Sequence, residues 1–212
     1  MNFKIVLSII LFSILSVGCQ IGKEVKPSEM HPDDLPDERA FQDEFTREFL
    51  QSVEEARPGY YPFLSKTGKY ELDFPAGGEI IKQAYNIDNS TFETINIGIY
   101  HKDNSFGTLF LTYYGRNKLK DIDNHLSWLE GRLGEDAHFT EYKESGKIVY
   151  LFGFQRENYK YHSAYIQNTK EHGGLEFIYS IDCQHSDCED EHSISEDEFL
   201  KWVLTVTFLS NK

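Results

Sequence analysis

The sequence lacks the short motifs that mark the common catalytic sites. It contains no Gly-x-Ser-x-Gly nucleophile elbow, no His-Glu-x-x-His zinc motif, no P-loop and no Gly-x-Gly-x-x-Gly dinucleotide motif. A hydrolase assembled from residues scattered along the chain stays open, because catalytic triads need not be contiguous in sequence. We rank that function last, and we predict a protein that is not an enzyme and carries no cofactor.

The chain is also short of positive charge. It has 21 lysine and arginine residues against 35 aspartate and glutamate residues, which gives a formal net charge of −14. Nucleic acids, anionic lipid surfaces and wall polyanions repel a body of this charge. We therefore expect no nucleic-acid partner, and solubility is the simplest use of the charge.

Long hydrophobic runs are absent apart from one near the first residue. Lys4 precedes an apolar run from Ile5 to Leu15, and small residues follow it. This order of charged, apolar and small residues is that of a secretory signal, and the run is too short to span a bilayer permanently.

A cysteine ends this segment. Val17-Gly18-Cys19, with a leucine four residues before the cysteine, resembles a bacterial lipobox, although Ser16 stands where that motif most often has leucine. The resemblance implies cleavage before Cys19, a diacylglycerol thioether on its sulfur, and N-acylation by a fatty acid such as palmitate. Several acyl chains would anchor the protein stably in membrane lipid, facing outside the cytoplasm. A plain signal peptide is the alternative.

Cysteine itself is scarce, with three in the whole chain. If Cys19 is lipidated, Cys183 and Cys188 are left as a pair with four residues between them. Outside the cytoplasm such a pair indicates a disulfide that closes a small loop. The alternative is two metal ligands, which would need two more ligands nearby.

The acidic loop 183–192 is the one dense cluster of metal-ligating residue types in the sequence. Its histidines with a carboxylate suit zinc, and its carboxylates alone suit a weak calcium site. No recognised ligand spacing is met, so we predict no metal here and favour a solvated loop pinned by the disulfide. The weak candidates for metal ligands are His185, Asp187, Glu189 and His192.

Composition divides the chain into three parts. Residues 1–18 form the predicted signal peptide, and residues 19–36 are rich in proline and charge, which predicts a flexible tether. Residues 37–212 form one predicted domain, opened by a helix over 37–57. In that helix, apolar residues recur every four positions, which favours packing on the domain's own sheet over a partner-binding face. The stripe consists of Phe41, Phe45, Phe49 and Val53.

Two further helices and eight strands are predicted after this opening helix. One helix covers 119–133, and the other begins at the capping box Ser195-x-x-Glu198 and runs to about 210. Alternating apolar residues and turn signals predict the strands. They cover 69–74, 79–87, 91–101, 106–114, 137–144, 147–155, 159–169 and 174–182.

This order of elements predicts an α+β fold, an antiparallel sheet covered by helices. It resembles the PsbP-like α/β/α sandwich over about residues 65–210. The features that carry the resemblance are the strand Tyr70–Pro75, the helix 119–133, the hairpin 159–182 and the terminal helix Glu198–Phe208. Members of that family mostly act as binding or assembly proteins without an active site.

Two functions follow from these observations. The first is a membrane-anchored, non-catalytic lipoprotein that binds an envelope protein partner or assists envelope assembly. The alternative is a lipoprotein that binds a small ligand or metal, using loop 183–192 or a pocket between sheet and helix. Tyr60-Tyr61 and Tyr113-Tyr114 are candidates for an exposed aromatic platform, although tyrosines in alternating strands more often lie half-buried in the sheet.

Overall fold

Strands form most of the regular structure of the protein. The computed structural model describes residues 25–101, 105–133, 138–156, 159–182 and 194–210. The helices of these residues are α1 (Arg39–Gln42), α2 (Glu44–Arg47), α3 (Ile122–Leu133) and α4 (Glu196–Val203). The strands are β1 (Tyr60–Leu64), β2 (Tyr70–Pro75), β3 (Gly78–Ile80), β4 (Asn86–Asp88), β5 (Phe92–Tyr100), β6 (Phe106–Tyr114), β7 (Thr140–Glu144), β8 (Lys147–Arg156), β9 (Tyr159–Asn168), β10 (Gly174–Asp182) and β11 (Thr207–Phe208).

Eight of these strands form one large antiparallel sheet. Its order is β3-β5-β6-β10-β9-β8-β7, and β4 pairs with β5 as well. Alternation sends one set of side chains to the inner face, where Leu111 lies opposite Ile95 on β5 and opposite Phe177 on β10. All three are fully buried. The strands predicted over 106–114 and 174–182 are confirmed as β6 and β10.

A second, three-stranded sheet covers the inner face of the large one. Its order is β1-β2-β11, and its aromatic side chains meet those of the large sheet. The rings of Tyr70 and Tyr113 lie 5.5 Å apart. Helix α4 closes the same core, because Trp202 packs 5.0 Å from the ring of Phe177 and donates a hydrogen bond of 2.7 Å to the carbonyl oxygen of Asp73.

The predicted α/β/α sandwich, with helices covering the sheet, is therefore wrong. Among the helices of the described residues only α3 exceeds eight residues, and the fold is β-rich, with two antiparallel sheets facing each other. The second sheet takes its outer strands from segments with weak strand signals. Pro62 interrupts β1, and β11 has only two residues. Both segments, β1 and β11, are strands because they pair with β2.

The helix predicted over 37–57 is also wrong. The carboxylate of Asp43 accepts hydrogen bonds from the backbone N–H and the hydroxyl of Thr46, at 2.7 and 2.8 Å, so α1 ends and a second helix begins there. Beyond α2 the chain extends, and Leu50 bridges to Phe63. The phenylalanines nevertheless pack in the core, as predicted; they are Phe41, Phe45 and Phe49.

The final helix begins as predicted and ends early. Ser195 and Glu198 form the reciprocal capping box. The helix stops at Val203 because the buried ammonium of Lys147 binds the carbonyl oxygens of Leu204 and Val206. Burial lowers the pKa of Lys147, and the chain continues as β11 along β2.

The described chain lies against this body from its first residues onward. Pro27 is buried, the turn Pro27–Glu29 contacts α2, and Leu35 packs on the core. The predicted tether 19–36 therefore contacts the body from Pro27 onward. Within the described ranges, no helix has both the length and the apolar character that crossing a membrane requires.

Helix α3 lies on the outer face of the large sheet. Leu129 is buried there against Tyr150 of β8 and Tyr165 of β9. The connection that leads from β6 into α3 runs along one end of the sheet, beside the β9–β10 turn. This end carries the cavities described next.

Candidate functional site

Three neighbouring cavities open at the end of the large sheet where β6 ends and β10 begins. We call the first the polar pocket (about 290 Å³) and the second the lysine cleft (about 800 Å³); the third measures about 300 Å³. Lys118 lines both the polar pocket and the lysine cleft, while Asn168 and Lys170 line both the cleft and the third cavity. The three therefore form a continuous row.

Four lysines define the lysine cleft. Lys69 comes from the β1–β2 turn, Lys118 and Lys120 from the β6–α3 connection, and Lys170 from the β9–β10 turn. One carboxylate, that of Glu171, lines the cleft with them. A chain whose net charge is −14 thus gathers positive charge from three separate segments around one concave surface.

Local hydrogen bonds fix the turn that presents Lys170. The side-chain oxygen of Asn168, a buried residue, accepts hydrogen bonds from the backbone N–H groups of Lys170 and Glu171, at 2.9 and 3.1 Å. Gly173 closes the turn with φ at +126° and donates its N–H to the carbonyl oxygen of Asn117, at 2.8 Å. This bond ties the β9–β10 turn to the β6–α3 connection, so the two lysine-bearing segments are held together.

The ammonium groups of the cleft are largely uncommitted. None of the ion pairs formed between described residues involves Lys118, Lys120 or Lys170, all of which are exposed. Clefts lined by charge of one sign concentrate the field and attract counter-ions. The lysine cleft is therefore suited to an anionic ligand.

The tyrosine of the cleft is held as the neutral phenol. Tyr113 is buried, and burial together with the charges of Glu171 and Glu93 raises its pKa to about 12. Its hydroxyl stays protonated at neutral pH and keeps a hydrogen to donate.

The polar pocket lies under α3 and joins the cleft at Lys118. A hydrogen-bonded chain forms one of its walls. Gln167 donates to the carbonyl oxygens of Asn168 and Gly173, both at 2.9 Å, so its side-chain oxygen is the acceptor that receives the Tyr165 hydroxyl at 3.0 Å. Asn117 then donates one N–H to the Tyr165 oxygen at 2.8 Å.

His125 completes this chain. The second N–H of Asn117 lies 3.3 Å from His125 Nδ1, so that nitrogen accepts and the proton of the neutral ring is on Nε2. Burial, with a smaller contribution from the charge of Arg132, lowers the pKa of His125 to about 4. Nε2 is buried and has no hydrogen-bond partner among the described residues. The pocket thus contains a neutral histidine with an unused donor.

Trp128 forms the exposed edge of the polar pocket. It is one turn after His125 on α3, and 48% of its surface is exposed. The Arg132 guanidinium lies 4.8 Å from the Trp128 ring centre and pairs with the buried carboxylate of Glu176. Tyr114 donates a 3.2 Å hydrogen bond to that carboxylate. Neighbouring side chains therefore fix the orientation of the indole, while nearly half of the Trp128 surface stays exposed to solvent.

A second polar network surrounds Glu93 and is completed by protein groups, away from the three cavities. Glu93 on β5 is completely buried and accepts hydrogen bonds from the Lys66 backbone N–H at 3.0 Å, the Tyr85 hydroxyl at 3.0 Å and the Thr67 hydroxyl at 3.3 Å. Burial raises its pKa, while these hydrogen bonds act in the opposite direction. Glu93 lines none of the three cavities described above, and we interpret its network as structural.

The site residues predicted from the sequence all lie outside the described residues. These are the lipidation site Cys19, the pair Cys183 and Cys188, and the weak metal candidates His185, Asp187, Glu189 and His192. Their roles stay predictions. Across residues 25–101, 105–133, 138–156, 159–182 and 194–210, no three His, Cys, Asp or Glu side chains gather as metal ligands would.

The tyrosine pairs do not form an exposed platform. Tyr61 and Tyr113 are buried, and the ring of Tyr60 lies under the Arg57 guanidinium, 3.4 Å away. Sequence reasoning allowed for a pocket between sheet and helix, but it named none of the residues of the polar pocket as binding residues and did not predict the lysine cleft. The available signals were Lys118-x-Lys120 in an acidic chain and His125-x-x-Trp128 on one helix face.

Comparisons with known proteins point to one family. The model of a family described as "Putative lipoprotein YvcA" matches residues 36–207. A Bacillus subtilis (strain 168) protein of that name is 29% identical over 204 residues, which cover 89% of this chain and 84% of the relative. The residues that line the three cavities all lie within the matched range, apart from Phe208, Leu209 and Ser210.

A solved structure from Bacteroides thetaiotaomicron VPI-5482 shows a weaker similarity. It is 14% identical, with a TM-score of 0.41, and the match covers 70% of this chain. The chain spans 48% of the length of that protein. A similarity of this size does not establish a common fold.

Proposed function

Since the chain belongs to the family described as "Putative lipoprotein YvcA", we propose that it is a membrane-anchored, non-catalytic lipoprotein outside the cytoplasm that binds an anionic ligand in the lysine cleft. The anchor is Cys19, released from the signal peptide 1–18 and bound to membrane lipid. The ligand is a small anion or the anionic part of an envelope partner.

One observation carries this proposal. Lys118, Lys120 and Lys170 converge on a cavity of about 800 Å³, and no described carboxylate pairs with them. Charge-assisted hydrogen bonds from ammonium groups to carboxylate or phosphate oxygens are among the stronger polar contacts in proteins. The acidic remainder of the surface repels anions, which leaves the cleft as the favoured point of approach.

The packed N-terminal segment supports a position close to the membrane. Eight peptide steps separate Cys19 from Pro27, where the chain meets the body. Fully extended, they reach about 26 to 29 Å. A lipid anchor at Cys19 therefore holds the point where the chain meets the body within that distance of the membrane.

The composition of the polar pocket supports a binding role over catalysis by a hydroxyl or thiol nucleophile. Such a site needs a serine, cysteine or threonine beside a base. His125 lines the polar pocket, whose lining contains no serine, threonine or cysteine. Its Nδ1 is occupied by the Asn117 amide.

The test is calorimetric titration of the mature domain with tripolyphosphate, a compact polyanion. We compare the wild type with the triple variant Lys118→Gln/Lys120→Gln/Lys170→Gln. Loss of three ammonium contacts should weaken binding at least about tenfold, and the affinity of the wild type should fall as salt rises.

The matched control is Lys82→Gln/Lys143→Gln/Lys201→Gln, which removes the same charge from exposed lysines that line none of the three cavities. Its affinity should stay within about twofold of the wild type. Equal loss in both triple variants would show a non-specific charge effect and contradict the proposal, as would a wild type that binds no polyanion.

A further inference from the structure

We propose that the natural ligand is an anionic saccharide, with a sugar ring in the polar pocket and its carboxylate or phosphate in the lysine cleft. This inference rests on the proposed anion-binding function and names the class of molecule that the same row of cavities would take. The argument depends on three features: the open indole of Trp128, the planar polar side chains beside it, and the junction between the two cavities.

The first feature is the indole. Nearly half of the Trp128 side chain is exposed, while neighbouring groups fix its orientation. Arg132 stacks on it at 4.8 Å, and the ring of His125 lies 5.4 Å away. A rigid aromatic surface that loses little entropy on binding is suited to the apolar C–H face of a sugar ring.

The second feature is the polar lining. A sugar hydroxyl both donates and accepts hydrogen bonds, so it pairs best with side chains that offer both roles in fixed geometry. Amide and carboxylate side chains line the polar pocket together with Trp128, namely Asn117, Asp121, Asn124 and Gln167. The side-chain N–H groups of Asn117 and Gln167 are used within the protein, which leaves Asp121 and Asn124 to pair with a sugar hydroxyl. The donor on His125 Nε2, unused within the described residues, would be satisfied by a ligand oxygen.

The third feature is the junction. The polar pocket, at about 290 Å³, has room for one ring, and Lys118 lines both this pocket and the lysine cleft. A neutral sugar would leave Lys118, Lys120 and Lys170 without an ion-pair partner among the described residues, and a bare phosphate would leave Trp128 uncovered. A single ligand that carries both chemistries fills both cavities.

The experiment measures the affinity of the mature domain for three kinds of probe. These are inorganic phosphate, a panel of hexose and N-acetylhexosamine 1-phosphates with hexuronic acids, and the methyl glycosides of the same sugars. Calorimetric titration gives the affinity of every variant, including those without Trp128. Tryptophan fluorescence adds a second measurement in proteins that keep Trp128, because the other tryptophan of the chain, Trp202, is 2% exposed.

We expect at least one anionic sugar to bind about tenfold more tightly than both inorganic phosphate and its neutral glycoside, with a change in fluorescence. Trp128→Ala should remove most of this preference, about five- to tenfold, and leave phosphate binding unchanged. The matched control is Tyr100→Ala. Tyr100 is 47% exposed and also carries an arginine over its ring, at 3.8 Å, but lines none of the three cavities.

The outcomes separate the two proposals. If polyanions bind through the lysines but no sugar improves on inorganic phosphate, the lysine cleft stands and the saccharide inference is wrong. If an anionic sugar binds with equal loss in Trp128→Ala and Tyr100→Ala, the pocket does not hold the ring and the inference is wrong as well. If neither polyanions nor anionic sugars bind, both proposals are wrong.

Discussion

The two buried polar networks of this protein differ in what completes them. Around Glu93, protein groups supply every hydrogen bond that the structure shows, and no described cavity reaches the carboxylate. Around His125, the chain of bonds from Gln167 through Tyr165 and Asn117 ends at a nitrogen without a partner, in the wall of a cavity. A closed network stabilises the fold, whereas an open one is available to a ligand.

The largest effect should come from breaking the closed network. In Glu93→Ala, the Tyr85 hydroxyl and the Lys66 N–H lose their acceptor in a buried place, and we expect the free energy of unfolding to fall by about 3 kcal/mol. Urea denaturation measures it, with the exposed Glu71→Ala as the control, expected to change stability by less than about 0.5 kcal/mol. A loss under about 1 kcal/mol would mean that water reaches Glu93.

Acid should weaken the fold through its buried histidines. Burial lowers the pKa of both His125 and His162 to about 4, with the charges of Arg132 and Lys160 adding to the effect. The unfolded chain takes up these protons below pH 6.5 and the folded chain only near pH 4, so this contribution to stability is complete above pH 6.5 and is lost as the pH falls from 6.5 to 4. We expect each histidine to account for about 1 to 2 kcal/mol between pH 7 and pH 5.

Urea midpoints at pH 7, 6 and 5 test this prediction. His125→Gln and His162→Gln should each flatten the slope, and the exposed His172→Gln should not. Glu93 acts in the opposite direction, since its raised pKa gives a contribution to stability that is complete below pH 4.5 and is lost as the pH rises above it. A slope unchanged by the two histidine variants would contradict the prediction.

The smallest change in stability is expected at the open network. His125→Phe keeps a ring against Tyr165, where the two centroids are 4.1 Å apart, and removes a buried donor that has no described partner. The free energy of unfolding should change by less than about 1 kcal/mol, while the affinity for the anionic sugar falls. A fall in the free energy of unfolding of more than about 2 kcal/mol would contradict this prediction and show that His125, like Glu93, stabilises the fold.

Local sequence patterns predicted much of the large sheet. A segment apolar on both faces, ended by Gly115, predicted β6 at its observed ends, and alternation of apolar residues did so for β10. Ser195 with Glu198 marked the start of α4 correctly. The prediction of one helix over 37–57 failed because a capping carboxylate, that of Asp43, lies in the middle of an otherwise helical pattern. The predicted end of α4 was wrong because Lys147, a buried lysine 57 residues earlier in the chain, binds the carbonyl oxygen of Leu204.

By itself, the sequence determined the alternating faces of the central strands and the acidic charge of the body, and it predicted a lipoprotein leader, since each of these depends on residues close together in the chain. The tertiary structure alone decided that the two sheets face each other, that Lys118 and Lys170 share one cleft, and that His125 meets Tyr165. The lysines lie 52 positions apart and the two ring residues 40 positions apart. Long-range strand pairing brings them together, and no local propensity encodes that pairing.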